Sequence, residues 1–394
     1  MKKILSSAVS LCILLLLAGP LRADPFDNWT ASQVSTNPPG QLGLQLRGLA
    51  YGNRRYVCVG QYASDDNGFV QTSDDGINWT MRSLHDYSIL DLYDVIYGNG
   101  IFVAVGWNDY NGSNIYTSTN GINWTPHTTA MANVYAVSYG DDTFVAVGDG
   151  LGLNFEITST NVYYSYDGTT WYGYDSGYTG TLYDLAYGNG RFIAVDASRH
   201  IYSVFQSRMT NSLAGSSVSF CNGRFFIPAG SGTNLVSADG LNWSPVTNNT
   251  AVEFRHVVAA GGMLVAVGPG IFTSPDGTNW TQRSLQASNV WLWDVASGDR
   301  NVVAAGQAYP SVPNIKPVAY VSDPFVALGV GSTFPPQLTV SGLTNRNYRV
   351  EMLADFSSTN WQTLTNLYLT NGPALWTDMQ ATNTSRFYRV KLLP

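Results

Sequence analysis

The nine-residue stretch TSTNGINWT, residues 117–125, decides the fold because the chain repeats it. Related stretches are TSDDGINWT at 72–80, YSYDGTTWY at 164–172, VSADGLNWS at 236–244 and TSPDGTNWT at 273–281. In each, a Ser and an Asp or Asn can hydrogen-bond the backbone of their own turn, and the following Gly accepts a left-handed conformation. We expect the Trp to cover the gap to the next repeat unit. We call this motif the box, and its five copies predict five equivalent structural corners.

A second motif, LYDVIYGNGIFVAVG at 92–106, occurs in seven copies, from LRGLAYGNRRYVCVG at 46–60 to LWDVASGDRNVVAAG at 292–306. The copies follow one another every ~41 residues, and four-stranded propeller blades repeat every ~40–45 residues. Each unit contains two strands joined by a Gly-Asn-Gly turn, then a variable loop, then a box that joins two further strands. The sequence therefore predicts an all-β protein, a seven-bladed β-propeller with four-stranded blades.

The N-terminal segment is predicted to close the ring. The fourth-strand pattern Asn28-Trp29-Thr30 appears before the first repeat begins, and residues 317–322 form the third strand of the last blade. Pairing of these two segments would remove an open sheet edge. Blade four, around residues 201–211, lacks the Trp of the box. The blade count is therefore open by one, and residues 325–328 are an alternative last strand.

The ends of the chain differ from the repeats. Residues 1–23 contain Lys2 and Lys3, then a mostly apolar run, as in a secretory signal peptide. We expect a mature propeller over residues 24–331, which is secreted, periplasmic or at the cell surface and is monomeric. Pro335-Pro336 marks the start of alternating strand patterns. They predict a small C-terminal β module, sandwich-like, over residues 332–394.

The composition excludes some classes of partner. The chain has a formal net charge of −7 and only 12% charged residues, and it contains no basic patch. We therefore expect no nucleic-acid partner and no membrane insertion after signal cleavage. Cys58 and Cys221 lie in distant repeats at non-equivalent positions, so the sequence predicts two buried free thiols.

The boxes resemble the Asp-box of sialidase-type bacterial β-propellers, with one residue fewer between the Asp and the Gly. In that family the boxes lie on the face opposite the active site, so the resemblance implies the fold and no catalysis. In the C-terminal module, Tyr348-Arg349-Val350-Glu351 and Arg386-Phe387-Tyr388-Arg389-Val390 resemble a small β module of exported proteins from environmental bacteria.

The residues give little sign of an enzyme. A glycosidase needs two carboxylates in a defined pair. Asp94, Asp184 and Asp294 recur at one position in three blades, which favours a structural hydrogen bond over a catalytic dyad. The four His residues are scattered among the blades. The sequence therefore predicts no metal and no cofactor.

The candidate site lies in the loops between strands two and three and between blades, which share one face of a propeller. Rigid scaffolds commonly carry their function on such loops. We expect Trp107, Tyr110, Phe155 and Trp291 to stack on a ligand and Asp66, Asp109 and Asp175 to accept its hydrogen bonds. The predicted function is binding of an extracellular glycan or protein. The alternatives are a carbohydrate-active enzyme, either a glycoside hydrolase or a lyase, with carboxylates at the channel mouth, and a structural protein of the cell envelope.

Overall fold

The computed structural model describes most of the repeat region and the strands of the C-terminal segment. The described residues are 26, 28–32, 34, 43–62, 68–82, 84, 89–108, 113–149, 160–196, 198, 200–205, 208–211, 215, 217–229, 232–260, 263–285, 287, 289–299, 301–311, 314–322, 327–330, 337–341, 346–353, 362–369, 374–380 and 387–392. Within these ranges no helix is long and apolar enough to cross a membrane.

Seven four-stranded antiparallel sheets form the blades of a β-propeller across the described part of the chain, which confirms the predicted fold. The first strand is β1 (Trp29–Ala31). Blade one contains β2 (Leu44–Gly52), β3 (Arg55–Tyr62), β4 (Gly68–Ser73) and β5 (Thr80–Arg82). Blade two contains β6 (Ile89–Gly98), β7 (Ile101–Asn108), β8 (Ile115–Ser118) and β9 (Thr125–His127). Blade three contains β10 (Val134–Gly140), β11 (Thr143–Gly148), β12 (Val162–Ser165) and β13 (Tyr172–Tyr174).

The remaining blades repeat this order. Blade four contains β14 (Leu182–Gly188), β15 (Arg191–Asp196), β16 (His200–Ser203) and β17 (Arg208–Asn211). Blade five contains β18 (Ser219–Cys221), β19 (Arg224–Pro228), β20 (Thr233–Ser237) and β21 (Ser244–Thr247). Blade six contains β22 (His256–Ala260), β23 (Met263–Gly268), β24 (Gly270–Ser274) and β25 (Thr281–Arg283). Blade seven contains β26 (Val290–Ser297), β27 (Val302–Ser311), β28 (Asn314–Ser322) and the N-terminal strand β1.

The two ends of the repeat region meet in blade seven, as the sequence predicts. Strand β1 pairs antiparallel with β28, in the register Trp29↔Ser322 and Ala31↔Tyr320. The innermost strands of neighbouring blades contact each other around the ring, and β26 contacts β2. The alternative closure is wrong, because Ala327–Val330 (β29) pairs with Gln337–Ser341 (β30) and not with blade seven.

Each box forms the corner between the third and fourth strands of its blade. In blade one, Ser73 Oγ accepts a hydrogen bond from the Gly76 amide at 2.8 Å, and Asp75 Oδ1 accepts from the amides of Ile77 and Asn78. Trp79 Nε1 donates to the Gly76 carbonyl at 3.1 Å. The other four boxes repeat this pattern. Its members are Ser118, Asn120 and Trp124; Ser165, Asp167 and Trp171; Ser237, Asp239 and Trp243; and Ser274, Asp276 and Trp280.

The Trp of each box packs against the preceding blade, so the expectation of a contact with the next blade is wrong. Trp124 of blade two lies in a core cluster with Val57 and Val59 of blade one. A Cβ at Gly121 would lie 2.8 Å from Val57, so only glycine allows this close approach. The box thus stabilises its own turn and fills the interface behind it.

A β-bulge interrupts the inner strand in five blades of the described structure. In blade two, Leu92 pairs with Gly106 and Asp94 pairs with Val105, so Tyr93 is the extra residue. The bulge brings the Asp91 carbonyl oxygen to 2.0 Å from where a Cβ of Gly106 would lie. In four of the five bulged blades the second strand ends in a glycine that leaves room for this carbonyl, whereas blade four has Asp196 at the same position. A bulge re-aims the side chain of its extra residue.

The C-terminal segment forms two three-stranded sheets among its described residues. One has the order β29-β30-β33 and the other β32-β31-β34. The strands are β31 (Arg346–Leu353), β32 (Gln362–Leu369), β33 (Ala374–Thr377) and β34 (Phe387–Leu392). Leu338, Tyr348 and Val350 are fully buried between them. Cys58 and Cys221 are buried free thiols, as predicted.

Trp124→Ala is expected to lower the free energy of unfolding by about 3–5 kcal/mol, because it opens a cavity between blades one and two. A urea titration followed by far-ultraviolet circular dichroism measures this change. Thr119→Ala, in the same box but with an exposed side chain, is the control and should change the stability by less than about 0.5 kcal/mol. Equal effects of the two substitutions would contradict the assignment of Trp124 to the blade interface.

Candidate functional site

The bulged residues of the inner strands form a ring at one mouth of the central channel. This mouth lies at the loop-rich face, because each bulge is near the start of an inner strand. The extra residues in blades one, two, three, four and seven are Arg47, Tyr93, Tyr135, Tyr183 and Trp293. In blade six, Arg255 immediately precedes the inner strand and its amide donates to the Val267 carbonyl. We call these six side chains the mouth ring.

Four of the six side chains of the mouth ring form a continuous arc on one side of the mouth, over blades one to four. The Arg47 guanidinium lies 5.4 Å from the centre of the Tyr93 ring. The ring centroids of Tyr93 and Tyr135 are 5.0 Å apart, as are those of Tyr135 and Tyr183. Arg47 also forms an ion pair of 3.0 Å with the buried carboxylate of Asp91. The arc is therefore a row of aromatic faces with an arginine at one end.

The other half of the mouth opens into a cleft between blades six and seven. The cleft has a volume of about 560 Å³. The Arg255 guanidinium lies 5.5 Å from the Trp291 ring and 5.3 Å from the Trp293 ring. Cation–π contacts of this kind hold the guanidinium in place while the faces of the cleft remain aromatic. The lining residues are Arg255, Pro269, Asn289, Val290, Trp291, Trp293 and Tyr309.

A buried glutamine fixes two of the aromatic walls. Gln307 Oε1 accepts hydrogen bonds from Trp293 Nε1 at 3.2 Å and from the Tyr309 hydroxyl at 2.7 Å. Gln307 is only 3% exposed, so these bonds are shielded from water. The buried Nε1 of Trp291, in contrast, has no hydrogen-bond partner among the residues that the structure describes. The walls of the cleft are therefore held in place by contacts within the protein.

Three aspartates below the mouth join the blades. Asp94 accepts hydrogen bonds from its neighbour Val95 and, at 2.9 Å, from the Val137 amide of blade three. Asp184 links blade four to blade five in the same way. Asp294 links blade seven to blade one through the Leu49 amide at 2.6 Å. The structural interpretation of these residues is therefore confirmed.

The three aspartates and the neighbouring His256, which we call the inner ring, influence one another's pKa values. Burial, and then repulsion from Asp294, raises the pKa of Asp94 to about 7. Burial raises the pKa of Asp184 to about 6. Burial would lower the pKa of His256, but attraction to and a hydrogen bond with Asp294 outweigh it and raise this pKa to about 9. His256 is therefore protonated at neutral pH.

These raised pKa values do not identify a catalytic pair. In Asp94, Asp184 and Asp294, both carboxylate oxygens accept backbone hydrogen bonds or contact His256. Burial and mutual repulsion account for the raised values of Asp94 and Asp184. No group of three or more His, Cys, Asp or Glu side chains within the described ranges has the arrangement of a metal site.

The structure places three of the seven predicted site residues. Trp291 lines the cleft. Trp107 is half-buried at the end of β7, where it forms an isolated bridge with Asn133. Asp175 is exposed in the loop between blades three and four, and its carboxylate accepts from the Gly177 amide at 3.0 Å. Neither Trp107 nor Asp175 lines the cleft. The other four, Asp66, Asp109, Tyr110 and Phe155, lie outside the described residues.

Our sequence reasoning missed most of the mouth ring because it read the loops and not the strands. The signal was present in the second motif, at the position that follows its first Leu or Val. That position holds Arg47, Tyr93, Tyr135, Tyr183 and Trp293 in five of the aligned repeats. A strand position that carries an aromatic or cationic side chain in five repeat units is unusual, because the neighbouring strand positions are mostly aliphatic.

Comparisons with known proteins show the fold. No protein-family model and no curated protein matches the sequence. Among solved structures, YCF48 from Cyanidioschyzon merolae has a TM-score of 0.53 at 14% identity, over 75% of this chain and 98% of that chain. YCF48 bound to D1 peptide has a TM-score of 0.55 at 15% identity, over 77% and 98%. The WD40 propeller domain of Doa1 has a TM-score of 0.52 at 14% identity, over 75% and 98%.

The inner-ring charges predict that thermal stability falls as the pH rises from 5 to 9. Between its ordinary pKa and its raised pKa, each group keeps a proton in the folded state that it has lost in the unfolded state. The stabilisation from Asp94 is therefore lost as the pH rises towards 7, and that from His256 as the pH rises through 9. Asp94→Asn should flatten the decline between pH 5 and 7, as measured by differential scanning fluorimetry.

Asp299→Asn is the matched control, because this carboxylate is exposed. The control should show the same pH dependence as the wild type. An Asp94→Asn protein with an unchanged slope between pH 5 and 7 would contradict the raised pKa of Asp94.

Proposed function

We propose that this chain is a binding protein whose mouth ring and adjoining cleft hold an extended segment of a protein partner. The observation that carries the proposal is Arg255, which lies against Trp291 and Trp293 in a cleft of about 560 Å³. Volumes of ~300–1,000 Å³ are typical of ligand sites. The side chains are already held in position by contacts within the protein, so little side-chain entropy is lost on binding.

The chemistry of the mouth supports a protein ligand. Trp, Tyr and Arg dominate the energetic centres of protein interfaces, and they are the residues of the mouth ring. A propeller of similar fold has been solved with a bound peptide, which is an analogy only.

Two of the predicted site residues, Trp107 and Asp175, do not line the cleft. They lie at the edge of the loop-rich face in blades two and three, where we propose that they lengthen the site. Asp66, Asp109, Tyr110 and Phe155 belong to loops of the same kind.

A glycan at the same mouth is the second candidate. The observation in its favour is the pair of exposed faces that Tyr183 and the Trp291 cleft offer to a sugar ring. Asn289, which also lines the cleft, could bind a hydroxyl. We place this candidate second because the Arg255 guanidinium lies 5.5 and 5.3 Å from the centres of the Trp291 and Trp293 rings, where it would compete with a sugar ring for their faces.

We also propose that the chain is exported and that residues 1–23 are removed. The support is the basic start and apolar run of that segment. We propose further that residues 332–394 form a module of their own, and that the five boxes place the propeller among Asp-box proteins. None of these three proposals implies a catalytic activity.

Arg255→Ala and Trp291→Ala are expected to weaken binding of selected peptides by about tenfold or more, since each removes a central contact. The probes are linear peptides selected on the purified protein from a phage-displayed library. Their affinities are then measured by fluorescence anisotropy. Arg224→Ala is the matched control, because Arg224 is an exposed arginine at the opposite end of its blade. The control should leave the affinity unchanged.

Peptides that bind the Arg255→Ala and Trp291→Ala proteins as tightly as the wild type would contradict the proposed site. If the library yields no binder and a glycan array yields one that depends on Trp291, the second candidate replaces the first. Thermal midpoints of all variants, measured in parallel, show that any loss is not a loss of folding.

A further inference from the structure

Blade four lacks the tryptophan corner that its neighbours possess. In the other blades a Trp donates Nε1 to the carbonyl three residues earlier and packs against the preceding blade, as Trp79 does. Blade four instead turns after β16 through Phe205, whose φ is 63°. Phe205 is 40% exposed, whereas Trp124 of blade two is 9% exposed. The outer part of the interface between blades three and four is therefore incompletely covered.

The outer strands of blade three fill this region with tyrosines. Tyr164 on β12 pairs directly with Tyr172 on β13, and their ring centroids are 5.6 Å apart. Tyr174 and Tyr164 contact Phe205 edge-on at 5.0 and 6.0 Å. Tyr166 lies edge-on to Tyr164 at 5.8 Å. We call these five side chains the rim patch.

The fold itself does not require aromatic residues at these positions. The residues equivalent to Tyr164 and Tyr174 are Thr72 and Arg82 in blade one, where Arg82 Nε donates to Thr72 Oγ1 at 2.8 Å. Blade six has the same pair in Thr273 and Arg283, at 2.7 Å, and blade two has Thr117 and His127, at 2.9 Å. A polar cross-strand pair is thus enough to build a blade, and blade three departs from it.

Two members of the rim patch are presented to solvent. Tyr166 is 62% exposed and Tyr172 is 49% exposed. Tyr164 contacts both of them, edge-on to Tyr166 and tilted by 33° to Tyr172. Phe205 in turn contacts Tyr164 and Tyr174 edge-on. An exposed aromatic surface that the protein orders in this way indicates a binding site.

The charges around the rim patch indicate what it binds. All five members are neutral, and the position of a cation in blades one and six is taken by Tyr174. The nearby box residue Asp167 accepts from the amides of Thr170 and Thr169, which lower the pKa of its carboxyl. Asp167 is therefore ionised at all ordinary pH values and would repel an anionic ligand. The net charge of −7 has the same effect.

We propose that the rim patch binds a neutral polysaccharide, with sugar rings stacked on Tyr166 and Tyr172. The C–H faces of a neutral sugar complement an uncharged tyrosine ring, and the tyrosine hydroxyls can exchange hydrogen bonds with sugar hydroxyls. Tyr166 and Tyr172 both contact Tyr164, at 5.8 and 5.6 Å between ring centroids, so the two exposed rings belong to one aromatic surface. The site is open, so a long polymer can pass across it.

The rim patch is distinct from the mouth ring. It lies beside the box of blade three, at the ends of β12 and β13, whereas the mouth ring lies at the opposite end of the inner strands. A partner at the mouth and a polysaccharide at the rim could therefore be bound together. The rim proposal does not depend on the proposed function of the mouth.

The test is affinity electrophoresis of the purified full chain in native gels that contain hydroxyethyl cellulose, xyloglucan, glucomannan or laminarin. The wild type should be retarded by at least one of these neutral polymers. The double variant Tyr166→Ala/Tyr172→Ala should lose about tenfold or more in affinity. Tyr166→Phe/Tyr172→Phe, which keeps both rings, should keep most of the retardation. Tyr368→Ala, which removes an exposed tyrosine of β32 in the C-terminal segment, is the matched control and should migrate as the wild type does.

Three results would overturn the proposal. The first is a wild type that none of the four polymers retards. The second is retardation that the Tyr166→Ala/Tyr172→Ala protein retains. The third is a wild-type dimer in sedimentation that this variant converts to a monomer, because the rim patch would then be an interface between two copies. Both substituted side chains are exposed, so an unchanged thermal midpoint confirms that the variant is folded.

Discussion

The pairing of β1 with β28 is the interaction on which the rest of the propeller depends. Blade seven has four strands because it receives its outer strand from the start of the chain, and this pairing joins the two ends of the ring. Trp29 then occupies the corner position in blade seven and donates Nε1 to the Phe26 carbonyl, as a box Trp does. Closure also brings blade seven against blade one, where Asp294 accepts from the Leu49 amide. The channel, and with it the mouth, exists only because these contacts join the two ends.

Once the ring is closed, the β-bulge of the inner strands produces the candidate site. Each bulge adds a residue to an inner strand and turns its side chain towards the channel mouth. In three of the five bulged blades the following residue is an Asp, such as Asp94, that binds the next blade. The same irregularity therefore stabilises the ring and displays the mouth ring. Because it recurs in neighbouring blades, displayed side chains such as Tyr93 and Tyr135 are close enough to contact one another. Binding energy at such a site comes from groups that the fold has already ordered.

The fold could be predicted from the sequence because its determinants are local. Each box satisfies its own backbone within a few residues, and the repeat length and the early Asn28-Trp29-Thr30 pattern then specify the blade number and the closure. The side to which each Trp packs could not be predicted, since it depends on the relative positions of two blades. The cleft was found only through Trp291, because Arg255, Trp293 and Tyr309 are far apart in sequence and converge through the ring. Likewise, the lost Trp of blade four was visible in the sequence, but the tyrosines that face it become neighbours only through the register of β12 and β13.

Hydrogen exchange of the closing strands tests the central claim, that the N-terminal segment completes blade seven, most directly. Backbone amides of β1 and β28 would be followed by mass spectrometry after transfer of the protein to deuterated buffer. If β1 closes the ring, those of its amides that bond to β28 exchange only with opening of blade seven, and their protection should approach that of the outer strand β9 in blade two. Exchange of β1 within seconds, while β9 stays protected, would show that the ring is closed in another way and would contradict this closure.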